Sequence, residues 1–313
     1  MNQAIISTIV MTIFSSYIII LQNLFGEPSI CLSLINFITN PLKNSSVRYY
    51  PTFWQAANLV VLYIFIQTLI DFPLAIYDYQ KGTDWLYQPW LKVPVFICST
   101  LFILYLGYRY SGLTIGKVFP VKGFNVLIIP AMLLAFEGLQ YFLNEIGTQL
   151  DKVLPPPAWF MELFARLFDS DLGVWGGILR VVIIAPVVEE LIFRGVIMSG
   201  FMKNYKAVYA ILFSALLFAL FHLNPWQFPV AFMLGLILGW LRIRTGSIFA
   251  CITGHAINNG LVFLTVTYYS KLKDIKILQP ALKENYLFHG AIMLFGLVII
   301  FLVTKRRAAI KDV

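Results

Sequence analysis

The chain is built as a succession of apolar runs about as long as a bilayer is thick, and this limits its fold more than any other feature. A helix needs about 20 apolar residues to cross hydrocarbon, within a range of roughly 17–25. On that criterion there are about nine candidate spans: Ala4–Leu24, Trp54–Ile76, Val93–Tyr108, Phe124–Phe142, Val174–Met198, Ala207–Leu223, Phe228–Arg242, Ser247–Tyr268 and Leu287–Thr304. The third and seventh are short, so eight full spans with one re-entrant or tilted piece is the alternative. Over 313 residues the chain is 59% hydrophobic and 12% charged, with a mean hydropathy of +0.80. No soluble domain of this length needs so much apolar surface. The expected fold is all-α, a polytopic transmembrane helical bundle enclosing a polar intramembrane cavity.

The net charge of +8 is not a nucleic-acid footprint, because Lys and Arg gather in short connections where they orient a membrane protein. With nine spans, the odd connections and the C-terminus hold 13 basic residues, from Lys43 and Arg48 through Arg242 and Arg244 to Lys311, and the even connections hold 8. The positive-inside rule then predicts a cytoplasmic C-terminus, although the basic loop Lys271–Lys283 argues against it. Cys31, Cys98 and Cys251 lie far apart and suggest neither a disulfide framework nor a thiolate site. The N-terminus lacks a basic signal-peptide region and reads as a retained span. Tyr77–Leu91 has the aromatic and charged make-up of an interfacial loop. After Pro155, Pro156 and Pro157, the stretch AWFMELFARLF places Glu162 and Arg166 four apart. That suits a short helix lying on the membrane surface; an ordinary linker is the other reading. Three regions follow: residues 1–173, a core at 174–264, and residues 265–313 with a basic loop, last span and basic tail.

Polar residues within the spans carry the functional signal. VVEELIFRG, Val187–Gly195, places Glu189, Glu190 and Arg194 in an apolar run. Each charge at a helix centre costs roughly 2.5–3.5 kcal/mol, so the three must face the protein interior or a water-filled cavity. Glu190 and Arg194 are four apart and share a helix face, with Glu N-terminal as helix pairs prefer. Glu189 is rotated about 100° from Glu190 and has no partner in its own helix. His222 in FALFH and His255 with Asn259 in HAINN add polar groups to two further spans. Counted from Lys203, Lys206 and Arg244, Glu189, His222 and His255 lie about 21, 24 and 17 Å deep, a spread that helix tilt can absorb. A lone histidine on an apolar helix is more often a satisfied core residue, but three helices with polar groups at one depth suggest a site. Pro186 should bend its helix and free backbone groups. His289, near the start of the last span, reads as an interfacial histidine. Glu137, deep in the fourth span, reads as a buried acid or part of a cavity wall.

EELIFRG, FALFH and HAINN fit EExxxR, FxxxH and HxxxN in order, and the stretch GLILGWLRIRTGSIFACITGHAINN adds to the likeness. Over about Val174–Leu264 the chain resembles the CPBP family of intramembrane proteases. That family comprises the CAAX prenyl endopeptidases and bacteriocin-processing or bacteriocin-immunity proteins. The resemblance implies a membrane hydrolase in which Glu189 and His222 activate water. It implies that His255 and Asn259 stabilise the oxyanion and that Glu190 and Arg194 support the site. An apolar surround is where a carboxylate becomes a usable general base, and donors aimed at an oxyanion are often the largest catalytic contribution. It further implies a peptide or protein substrate, lipid-modified in the best-known cases, within membrane lipid, in the cytoplasmic membrane if the chain is bacterial.

Cofactor use stays open between none and a divalent metal. Glu189, His222 and His255 could form a zinc site of the metalloendopeptidase kind, although there is no HExxH. The competing function is a non-catalytic binding or bacteriocin-immunity protein, disfavoured by the intact glutamate, histidines and asparagine. A proton-coupled transporter would call for inverted repeats, and no such symmetry is visible.

Overall fold

Inside hydrocarbon a backbone must satisfy its own N–H and C=O groups, so apolar runs of this length fold as helices. The computed structural model describes residues 49–83, 85, 89–158, 160–161, 173–272 and 285–304, and among these every regular element is helical. In chain order the elements are α1 (Phe53–Lys81), α2 (Pro89–Ser111), α3 (Ile115–Val118) and α4 (Ile128–Val153). Next comes α5, a continuous helical run over 173–204, then α6 (Ala207–Phe221), α7 (Phe228–Thr245), α8 (Ile248–Leu272) and α9 (Tyr286–Val303). Among the described residues five helices are long and apolar enough to cross a membrane: α1, the Val93–Ser111 part of α2, α7, the Ile248–Tyr268 part of α8, and α9. The chain is therefore an all-α helical membrane bundle and an integral membrane protein. The expected first span, the surface helix after the prolines, the Lys271–Lys283 loop and the basic tail lie outside the described residues, or largely so.

The expected span boundaries need correction. α2 and α7 run to 23 and 18 residues, so neither is the short piece. The short helix is α6, with 15 residues. At 1.5 Å per residue it covers about 22 Å, less than the hydrocarbon thickness of about 30 Å. It stops because the Asn224–Pro225 step disfavours further helix. Asn224 Oδ1 then accepts from the backbone N–H groups of Trp226 and Gln227 and starts the turn into α7. The fourth span likewise begins later than expected and continues to Val153.

The described residues divide into two compact units, one within Val61–Phe102 and the other of Tyr49–Val60 with those that follow Phe102. In the first, α1 and α2 are joined by Tyr63 Oη with Thr100 Oγ1 at 2.9 Å and by Gln67 Nε2 donating to Ser99 Oγ at 2.5 Å. The second holds every intramembrane residue singled out above. Within it α4 lies against α9 and α6 against α7, and both contacts depend on small residues, as helix contacts in lipid generally do. A Cβ on Gly138 would meet Met293 Cβ at 2.8 Å, and one on Gly235 would meet Ala215 Cα at 2.9 Å. The close α6–α7 contact also brings the Gly235 carbonyl within reach of a side chain from α5.

Candidate active site

The helix bearing the two glutamates departs from α-helical geometry twice. Residues Ile178–Ile184 are π-helical, and Ala185 N–H donates to Arg180 O, five residues back. In that register the next carbonyl, Val181 O, would pair with the N–H of residue 186. Residue 186 is proline and has none. The Asn259 side chain fills the gap, with Nδ2 donating to Val181 O at 2.9 Å. A second π-helical segment, Leu191–Ile197, follows the glutamates. There Arg242 Nε donates to Arg194 O at 3.1 Å and Ser214 Oγ to Phe193 O at 3.4 Å. π-helical turns of this kind are frequent at functional sites. Here α6, α7 and α8 each supply a side chain to a carbonyl of α5, which fixes the stretch between the two segments.

That stretch presents its two carboxylates differently. Glu190 is fully buried, and its Oε1 accepts from Arg194 Nη1 at 2.8 Å and from His255 Nδ1 at 2.9 Å. Arg194, also fully buried, donates through Nη2 to Gly235 O at 3.0 Å and lies 4.6 Å from the centre of the Phe218 ring. Several contacts thus offset the cost of removing this ion pair from water. Glu189 is 15% exposed, and its Oε2 has no hydrogen-bond partner among the described residues. It faces His255 Nε2 at 3.9 Å, too far for a direct hydrogen bond.

Both histidines are oriented by their Nδ1 atoms. His222 sits at the end of α6, and its Nδ1 lies 2.8 Å from Phe218 O. A carbonyl only accepts, so Nδ1 carries the proton and Nε2 presents a lone pair. Leu223, the next residue, has φ 51°, a left-handed conformation that is uncommon for leucine. The Phe218 ring meets His222 edge-on at 5.0 Å and His255 at 5.7 Å. No hydrogen bond or ion pair joins His222 to Glu189 among the described residues. Among the described residues no three His, Cys, Asp and Glu side chains come together as a metal site. No step below passes through a metal.

Three features were not visible in the sequence. The bond from His255 to Glu190 crosses from α8 to α5, and only the helix packing reveals it. Gln140 Nε2 donates to Asn258 Oδ1 at 2.5 Å and Asn258 Nδ2 to Asn259 Oδ1 at 3.1 Å; the doubled asparagine of HAINN was the available signal. His289 is fully buried rather than interfacial, with Nδ1 3.3 Å from Glu137 Oε1 and its ring stacked on Tyr141. The one-turn spacing of Glu137 and Tyr141 hinted at a partner for both. Two arginines also change role. Arg242 and Arg244, counted above as loop charges, are buried. Arg242 bonds α5, and Arg244 donates to Phe301 O, Thr304 O and Thr304 Oγ1 at the end of α9.

Residues 171–261 match the Rce1-like family, described as type II CAAX prenyl endopeptidase Rce1-like. Over 259 residues the chain is 24% identical to the uncharacterized protein YyaK of Bacillus subtilis (strain 168), covering 74% of this chain and 83% of that protein. No solved structure matches the chain. The matched segment contains Glu189, Glu190, Arg194, His222, His255 and Asn259, and over it the chain is similar to the CAAX-type membrane proteases.

Proposed function

We propose that this protein is a membrane-embedded endopeptidase that hydrolyses a peptide bond near the membrane surface. The observation that carries the reading is the contrast between adjacent carboxylates. Glu190 holds both Arg194 and His255 on Oε1 although its Oε2 has no hydrogen-bond partner, while Glu189 is partly exposed and among the described residues its Oε2 has only His255, 3.9 Å away. A carboxylate this loosely held in such a setting is costly, and a catalytic base is the role that accounts for it.

In this mechanism a water gives a proton to Glu189 and its oxygen attacks the peptide carbonyl carbon. His222 orients that water through the Nε2 lone pair. The carbonyl oxygen takes up the negative charge, stabilised by His255 and by the second Nδ2 hydrogen of Asn259. With Nδ1 already donating to Glu190, His255 donates through Nε2 only as the imidazolium, flanked by the two carboxylates. Collapse breaks the C–N bond, and Glu189 returns its proton to the leaving amine. Glu190 and Arg194 take no part in bond changes; Glu190 orients His255, as a carboxylate orients the histidine of a hydrolytic triad.

The substrate is a peptide or protein approached from the membrane surface, and lipid-modified peptides are the class to test first. Comparative proteomics of cells carrying wild type or Glu189→Gln should show an uncut precursor accumulating in the mutant; identical peptide ends in both strains would defeat the reading. The membrane is the cytoplasmic one, with the C-terminus inside. A C-terminal reporter active only in the cytoplasm should therefore be active, and a silent reporter on well-expressed protein would reverse the orientation.

A further inference from the structure

We propose that Asn259 is a positioning residue: its amide closes the backbone gap opened by Pro186 and so holds Glu189 in place against His255, with Asn258 and Gln140 setting the direction of that amide. The direction follows from the far end. Val181 O can only accept, so Asn259 must turn Nδ2 towards it, at 2.9 Å. Asn259 Oδ1 then faces Asn258 and accepts from its Nδ2 at 3.1 Å, and Asn258 Oδ1 accepts from Gln140 Nε2 at 2.5 Å. Asn258, in the middle of this relay, is 2% exposed. An amide whose two ends are indistinguishable in shape is thereby fixed in one orientation. The Val181–Asn259 bond is the second link between α5 and α8, the first being Glu190–His255. One such bond leaves two helices free to pivot, and two hold both height and rotation.

The consequence for Glu189 rests on the endopeptidase reading; the backbone pairing does not. The test uses four full-length proteins in detergent: wild type, Asn259→Leu, Pro186→Ala and the double variant. Asn259→Leu leaves a carbonyl unsatisfied and should lower Tm by roughly 2–4 °C. In the Pro186→Ala background the restored N–H can take Val181 O, so the same substitution should cost less than half as much. Equal losses in both backgrounds overturn the proposal. Should Asn259→Leu fail to accumulate as folded protein, recovery of folded yield in the double variant is the expected result, and no recovery overturns the pairing. Turnover of the precursor found with Glu189→Gln supplies the second readout. If Asn259 positions the site, kcat of the double variant should exceed the product of the single effects by about threefold or more, with KM unchanged. Strictly multiplicative effects on kcat, beside coupled stability, would confine Asn259 to its oxyanion contact and overturn its positioning role. If no precursor is ever found, the protease reading fails alone and the stability cycle still decides the pairing.

Discussion

Glu190 and His255 bond at 2.9 Å with Arg194 on the same carboxylate oxygen, whereas Glu137 and His289 face each other at 3.3 Å with Tyr141 stacked on the imidazole. Both pairs join two helices within the bundle, and both histidines are almost wholly buried. They differ in what lies beside them. The first pair has an arginine to balance its carboxylate and a second glutamate one residue away, partly exposed and without a hydrogen bond at Oε2. The second sits where α4 and α9 pack through Gly138, outside the segment matched to the protease family. An intramembrane glutamate–histidine bond is therefore not by itself evidence of catalysis. The informative signal is the additional acid beside the first pair, which is held only by His255 at 3.9 Å.

The largest effects should come from separating the two adjacent glutamates. Glu189→Gln keeps shape and hydrogen-bonding capacity but removes the base, so cleavage should fall by about 10²–10⁴-fold while Tm stays near that of wild type. Glu190→Gln should behave differently. Its remaining oxygen can still accept from Arg194 and His255, but Arg194 becomes an unbalanced buried charge, typically at a cost of about 3–5 kcal/mol. Adding Arg194→Met should recover part of that stability without restoring turnover, since His255 loses its charged anchor. A double-mutant cycle on thermal unfolding, run beside the cleavage assay, checks all three variants. A fully active Glu189→Gln, or a stable but inactive Glu190→Gln, would reverse the roles of the two residues.

Much of this contrast was legible in the sequence because it is a matter of helical phase. The i, i+4 spacing joins Glu190 to Arg194, and the 100° step sets Glu189 apart. The all-α bundle was legible for a similar reason, since apolar length alone dictates helices in lipid. What could not be read was anything set by packing between helices. His255 reaching Glu190, Asn258 bridging Gln140 to Asn259, and Arg242 leaving the loops to bond Arg194 O all depend on helix rotation and depth. The early end of α6 was nearer to being readable. Asn224–Pro225 is a helix-stopping signal, but its neighbours are apolar enough for the span to read through to Leu223.

The smallest expected effect tests the other half of the comparison. Glu137 is 25% exposed on its side chain, with one oxygen towards His289 and Oε2 buried without a hydrogen-bond partner. In Glu137→Gln the amide oxygen can still take the place of Oε1 opposite His289 Nδ1, and the α4–α9 contact at Gly138 is untouched. The loss is then that of one polar contact weakened from charged to neutral, about 0.5–1.5 kcal/mol. Cleavage should stay within about twofold of wild type, because an interaction outside the reacting groups affects turnover only through folding. Thermal unfolding and cleavage measured on the same preparation check this. A well-folded Glu137→Gln that no longer cleaves would show that the second pair takes part in the chemistry, and the distinction between an engaged pair and a loosely held neighbour would no longer identify the site.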